Sequence, residues 1–345
     1  STSKKGRLPA RDSVKLRRRA VMLGIPCLTA VDTAAALADP LMSRFSEINT
    51  ELVDINNMRE RKRTVRFTKM QGIGNDYIYI DCLENMVASP ESLAVLMSDR
   101  HFGVGGDGIV LIAPSKVADA RMIMFNLDGS EGKMCGNGVR CVGKFLHDVI
   151  GGKFKKDELS VETKSGIKYL KMTTNEAGEA VAARVDMGKA ILKPSGISVN
   201  LDGDLILSRE IEVLGEKYKI TCVSMGNPHC VIFTDVPVEE LDLARIGPHF
   251  EHNEIFPEGV NTEFVNVIDS HTLRMRVWER GSGETWACGT GTCATVVAAC
   301  LNGICKKGED VLVHLNGGDL TINYSDETVL MTGPATRVFD GVIEI

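Results

Sequence analysis

The sequence predicts an α+β protein built as two pseudo-symmetric domains, each a mostly antiparallel sheet wrapped round a central helix, with a site in the cleft between them. Three observations carry this expectation. The stretch from Phe125 to Cys141 recurs in altered form from Trp278 to Cys293, and each copy sets a cysteine directly before Gly-x-Gly: Cys135-Gly-Asn-Gly and Cys288-Gly-Thr-Gly. The surrounding elements repeat in the same order, with Gly74 and Gly226 152 positions apart and Cys135 and Cys288 153 apart, the mark of an internal duplication. Finally, each half holds many short strand-like segments but one long apolar helix. Such a helix is buried on every side only if strands enclose it.

Composition narrows the class. At 345 residues, with 43% hydrophobic and 25% charged residues, the chain can bury a large core and reads as an ordinary soluble globular protein. A net charge of -6 argues against a general nucleic-acid binder. No apolar run reaches the roughly 18 residues of a membrane span. The ten cysteines lack Cys-x-x-Cys spacing, so free thiols in a reducing compartment are expected, with a cytoplasmic location.

Residues 1–64 differ in texture from the rest. They open with a basic run (Lys4, Lys5, Arg7, Arg11, Lys15, Arg17, Arg18, Arg19) and continue into an alanine-rich stretch. A targeting peptide, which would place the protein in a plastid, is one reading; Asp12, Asp32, Asp39 and Pro26 speak against it. A plain solvated extension is another. The favoured reading is a remnant of a fused domain. Lys5-Gly-Arg-Leu-Pro-Ala-Arg-Asp12 and Gly24-Ile-Pro-Cys-Leu-Thr-Ala-Val-Asp-Thr-Ala34 resemble the C-terminal part of the methylglyoxal-synthase-like domain of the carbamoyl-phosphate synthase large subunit. Asn56 to Arg63 then serves as a charged linker.

The first domain is expected over 65–190. Val65 to Met70 and Tyr77 to Cys82 read as strands joined by the turn Gln71-Gly-Ile-Gly-Asn-Asp76. A short helix over 89–100 precedes a Gly-rich turn and the strands at 109–112 and 120–125. A buried helix from Val139 to Ile150 closes at Gly151-Gly152, and strands at 159–163, 167–172 and 182–187 follow. The second domain, 191–345, repeats this order. Its strands lie at 218–225, 230–233, 263–267, 273–278, 310–314, 320–323 and 329–333, with helices near 238–246 and 292–301.

The chemistry follows from the cysteines. A helix N-terminus presents unpaired N–H groups and partial positive charge, which favours a bound carboxylate and lowers a thiol pKa. Two thiols from opposite sides can take a proton from one face of a stereocentre and return one to the other, inverting it. The Cα proton of an amino acid is a weak acid, so the carbanion needs donors fixed around the carboxylate. Cys141, Cys293 and Cys300 lie inside the apolar helices and read as core. The halves differ where Tyr77 corresponds to His229 and Asn126 to Glu279, so His229 and Glu279 are the groups placed to exchange protons with the thiols. Arg280 could clamp a second carboxylate. No metal-spaced cluster is evident, while a Schiff-base lysine stays open. The turn at 103–108 lacks the Gly-Lys-Ser/Thr ending of a phosphate cradle.

Residues 65–345 resemble diaminopimelate epimerase. The motifs are Lys69-Met-Gln-Gly-Ile-Gly-Asn-Asp76, Phe125-Asn-Leu-Asp-Gly-Ser-Glu131, Met134-Cys-Gly-Asn-Gly-Val-Arg-Cys141, Gly226-Asn-Pro-His229, Gly259-Val-Asn261 and the run from Glu279 to Gly291. The resemblance implies cofactor-free interconversion of LL- and meso-diaminopimelate in lysine and peptidoglycan-precursor synthesis, by a homodimer. It implies Cys135 and Cys288 as the acid/base pair, and Gly136, Asn137, Gly289 and Thr290 around the reacting carboxylate. It further implies Asn75, Asn126, Asn227, Asn261, Glu279 and Arg280 around the other amino-acid groups. Gly108 departs from members that carry a substrate-touching glutamine there. A proline or hydroxyproline racemase of the same architecture is the alternative enzyme, and a thiol redox or binding module the alternative class.

Overall fold

The computed structural model describes residues 64–345 together with Arg19. The targeting, fused-domain and linker readings of the N-terminal stretch fall on residues outside those described. In the first half the strands are β1 (Thr64–Gly72), β2 (Asn75–Asp81), β3 (Gly108–Ala113), β4 (Ala120–Asn126), β5 (Glu131–Gly132), β6 (Glu158–Thr163), β7 (Gly166–Thr174) and β8 (Ala180–Asp186). The second half supplies β9 (Arg209–Val213), β10 (Glu216–Ser224), β11 (Pro228–Phe233), β12 (Asn261–Asp269), β13 (Thr272–Glu279) and β14 (Gly283–Thr285). It ends with β15 (Asp310–Leu315), β16 (Gly318–Tyr324), β17 (Val329–Pro334) and β18 (Thr336–Glu344). The main helices are α1 (Pro90–Ser98), α2 (Gly136–Lys144), α3 (Leu243–Glu251) and α4 (Gly289–Leu301).

Pairing makes the duplication explicit. In the first half β1 is antiparallel to β2, β2 parallel to β3, β3 antiparallel to β4 and β4 parallel to β6, after which β7 and β8 continue antiparallel. The second half follows the same sequence of senses through β10, β11, β12, β13, β15, β16 and β17. The halves join where β8 and β17 pair antiparallel, with Val185 opposite Met331. At the far edges β9 flanks β10 and β18 returns to flank β1. The two-domain α+β arrangement expected from the repeat is the one observed, and most of its pairings are antiparallel.

The central helices are sheathed as the pattern required. Nearly every residue of α4 from Gly289 to Ala299 is buried, and α2 is buried from Gly136 to Gly143. Val139, Val142, Val296 and Val297 share one large apolar core that spans both halves. Smaller cores sit under α1 and under α3. A fully buried valine contributes about 1.5–3 kcal/mol relative to an exposed one, so these helices are held by enclosure more than by propensity.

The expected helix at 139–150 starts three residues earlier, because Cys135 caps it. Beyond Lys144 it widens into a π-helical segment, Phe145–Ile150. The helix expected at 238–246 is instead a 3₁₀ turn, Val238–Glu240, followed by α3. Asp242 caps α3 by accepting from the Arg245 N–H at 3.1 Å.

Candidate active site

Each half delivers its cysteine in the same way. A strand (β4 or β13) runs into a short hairpin partner (β5 or β14), and the chain then turns into the central helix with cysteine as N-cap. Cys135 and Cys288 have extended backbones, and each sulfur accepts from the N–H three residues on, Gly138 and Gly291, at 3.3 Å. This is the serine-type cap made by a thiol. The two helix starts meet: a Cβ added to Gly136 would lie 3.9 Å from the Gly289 Cα, and one on Gly289 would lie 3.4 Å from Asn137 Oδ1. At both positions a Cβ would stand in ordinary van der Waals contact with the opposite terminus; the tight approach is to Met331, 3.1 Å from a Cβ on either glycine. Asn137 bridges the halves, donating to the Ala287 carbonyl at 3.3 Å.

The surroundings of the two sulfurs differ. Cys135 donates to Asn75 Oδ1 at 3.1 Å. Asn75 Nδ2 donates to Asp107 at 2.6 Å, and Asp107 is paired with Arg100 at 3.0 Å. A carboxylate only accepts, so the Asn75 amide is fixed with its oxygen toward the thiol. Cys288 instead lies 3.6 Å from Thr290 Oγ1, with Glu279 and Glu263 nearby. Glu279 accepts a hydrogen bond from Thr285.

Burial dominates the titration of this cavity. It pushes the Cys135 thiol up, against the pull of the Gly138 and Asn137 N–H groups and Arg140. It pushes Cys288 well above the ordinary thiol value, with the Glu279 and Glu263 carboxylates adding to the shift. Burial also raises Glu279. The helix-terminus field expected to lower both thiols is therefore outweighed by burial.

Of the other sequence-predicted residues, Asn227 and His229 connect to Cys288 through Thr290, while Asn261, Arg280 and Asn126 are engaged elsewhere. Asn227 donates to Thr290 Oγ1 at 3.3 Å. His229 is fully buried, with Nε2 3.1 Å from Asn227 Oδ1 and Nδ1 2.7 Å from Glu263. Asn261 is turned to structural work: its amide donates to the Pro228 carbonyl at 2.9 Å and its oxygen accepts from the Arg280 N–H at 3.0 Å. Arg280 is exposed, with Nη1 on the Glu258 carbonyl at 2.8 Å. Asn126 braces its own hairpin through Ser130 at 3.0 Å. At Gly108, where a glutamine was the family alternative, φ is +155 and a Cβ would meet the Phe125 carbonyl at 2.1 Å and the Tyr77 ring at 2.8 Å. No side chain fits there.

Sequence reasoning missed Glu263 and the buried Arg140, whose guanidinium has no carboxylate partner among its recorded bonds to Gly136 O, Pro334 O and Met331 Sδ. No local signal marks Glu263, which stands in the mixed stretch Asn261-Thr-Glu-Phe-Val265. Among the described residues no group of three or more His, Cys, Asp or Glu side chains is placed to hold a metal ion.

The sequence profile described as diaminopimelate epimerase matches residues 67–193 and 221–338. The chain belongs to the diaminopimelate epimerase family. A diaminopimelate epimerase from Acetivibrio thermocellus is 51% identical over 81% of this chain and 99% of its own length. One from Desulfovibrio desulfuricans is 53% identical over 80% of this chain and 97% of its own. The family is one of isomerases. Solved structures at low identity share the fold. A probable proline racemase from Agrobacterium radiobacter superposes with a TM-score of 0.60 over 80% of this chain and 92% of its own, at 14% identity. A PhzF-family phenazine biosynthesis protein from Bacillus anthracis gives 0.58 over 82% and 100%, at 17%.

Proposed function

We propose that the chain interconverts LL- and meso-diaminopimelate by two-base proton transfer at Cα, with Cys135 and Cys288 as the alternating acid and base. The observation that carries this reading is the contact between two helix N-termini, each capped by a cysteine. The N–H groups of Gly136, Asn137, Gly289 and Thr290 at the two helix starts hold the substrate carboxylate, and the two helix fields stabilise charge as the Cα proton leaves. One sulfur removes that proton while the other returns one to the opposite face. His229 and Glu279 exchange protons with the thiols. Asn75, Asn126, Asn227, Asn261 and Arg280 are the candidates to hold the other amino-acid groups of the substrate; Asn126 and Asn261 would have to leave the contacts described above, and Arg280 its backbone carbonyl, to do so.

In this reading the reaction needs neither metal nor pyridoxal phosphate. The enzyme works as a cytoplasmic homodimer in lysine and peptidoglycan-precursor synthesis, and the residues before Thr64 are a remnant of a fused domain with its linker. The test is Cα-deuterium incorporation from each diaminopimelate isomer in heavy water. Wild type incorporates solvent deuterium and inverts, whereas Cys135→Ala and Cys288→Ala lose net inversion. Undiminished turnover in either variant removes that cysteine from the mechanism, and turnover of proline instead would replace the substrate.

A further inference from the structure

The halves diverge most behind their cysteines. On the parallel pair β2–β3, Tyr79 stands opposite the apolar Val110; at the equivalent place on β11–β12, Val231 stands opposite Glu263. Glu263 is fully buried, and its second oxygen has no hydrogen-bond partner. Its first oxygen lies 2.7 Å from His229 Nδ1. From there the contacts continue without a break: His229 Nε2 to Asn227 Oδ1 at 3.1 Å, Asn227 Nδ2 to Thr290 Oγ1 at 3.3 Å, and Thr290 Oγ1 to Cys288 Sγ at 3.6 Å. The chain doubles back on the helix start, since a Cβ on Gly291 would lie 2.5 Å from Glu263 Oε1 and 3.2 Å from the Cys288 sulfur.

We propose that Glu263 is a positioning residue: through His229, Asn227 and Thr290 it sets whether Cys288 faces a hydrogen-bond donor or an acceptor. The inference rests on the two-thiol reading above. Its logic is donor counting. When the Glu263–His229 pair holds two protons, Nε2–H donates to Asn227 Oδ1 and Asn227 Nδ2 donates to Thr290. The Thr290 hydroxyl is then left to donate to a Cys288 thiolate. When the pair holds one proton, on Nδ1, Nε2 is bare and the Asn227 amide turns over. Thr290 then donates to Asn227, and the Cys288 S–H donates to Thr290. Proton number is conserved between the two states: the one lost by Cys288 is the one gained by the pair. The two states differ in which group holds that proton; the amide only reverses and carries none. Glu279, on β13, faces both Cys288 and His229 and titrates in the same cavity, while Cys135 faces it from α2.

The test is the pH dependence of kcat and KM with diaminopimelate, on the full chain, for wild type, Glu263→Gln, Thr290→Val and the double variant. Glutamine keeps the shape but removes the charge that holds a second proton on His229. As with outer partners of metal-bound histidines, kcat falls roughly 10–100-fold with KM little changed. One limb of the kcat profile also moves. Thr290→Val, at the half-buried end, interrupts the same chain, so the double variant is no worse than the poorer single one by more than about twofold. A Glu263→Gln profile superimposable on wild type, or losses that multiply in the double variant, overturns the proposal. Should Glu263→Gln fail to fold, the Thr290→Val profile alone decides, and an unmoved limb there overturns it. Inactive wild type would instead sink the epimerase reading.

Discussion

At the scale of single residues the thiols set the pH behaviour. Both cysteines are pushed above the ordinary value of about 8.5 by burial, and Cys288 further by two carboxylates. Thiolate is the reactive form, so without added substrate alkylation of either cysteine by iodoacetamide rises with pH and is still rising near pH 9. Cys288 lags Cys135 at every pH. Peptide mass spectrometry after timed labelling reads both rates in one sample. A plateau below pH 8 at either site would mean that the helix field, not desolvation, controls that sulfur. The two thiols were legible in the sequence because each precedes Gly-x-Gly at matching places. Glu263 was not, since its role depends on the parallel pairing of β11 with β12, and no local pattern announces which strands become neighbours.

At the scale of elements, strands rich in β-branched and aromatic residues between turns were readable, including the fully buried β3, and the longer unread ones are exposed edges. β9 is mostly exposed, and β18 is exposed along nearly its whole length. They occupy equivalent edges of the two halves, where only one partner strand constrains the sequence. The π-helical segment after α2 was also unreadable, and its retention has a local cause in Asp148. That carboxylate accepts from Lys144 at 2.7 Å, from His147 at 2.6 Å and from the Ala180 N–H at 3.1 Å, tying the segment to β8. Burial alone would raise Asp148, but Lys144, His147 and the Ala180 N–H outweigh it and hold the carboxyl below the ordinary range. A depressed carboxylate contributes stability above its unfolded value of about 3.9 and loses it as pH falls through the lower folded value. Asp148→Asn therefore lowers stability at pH 7 by about 1.5–3 kcal/mol, the size of a hydrogen bond to a charged group. The gap to wild type, read from urea midpoints, narrows below pH 4.

For the whole molecule, the duplication places the two sulfurs through one small contact. The helix starts capped by Cys135 and Cys288 come together where Gly136 meets Gly289, under the Met331 side chain from β17 and the Met187 side chain that follows β8. A Cβ on Gly289 would stand 3.1 Å from Met331 Sδ and 3.4 Å from Asn137 Oδ1, and one on Gly136 would stand 3.1 Å from Met331 Cε and 3.3 Å from Met187 Cε. Methionine ends are flexible and give way by a few tenths of an ångström, so neither substitution unfolds the protein. What the methionines do not absorb bears on the helix starts and hence on the sulfurs. Reacting groups must stay within a narrow geometry, and a shift near 1 Å costs on the order of 100-fold in rate. Gly289→Ala is accordingly expected to keep its melting temperature within a few degrees while kcat for diaminopimelate falls at least about tenfold. Calorimetry and the deuterium assay on the same preparation separate the two effects. A variant that loses stability and activity in proportion would show that the contact serves the fold; full activity would show that the sulfurs are spaced by something other than the meeting of the two helices.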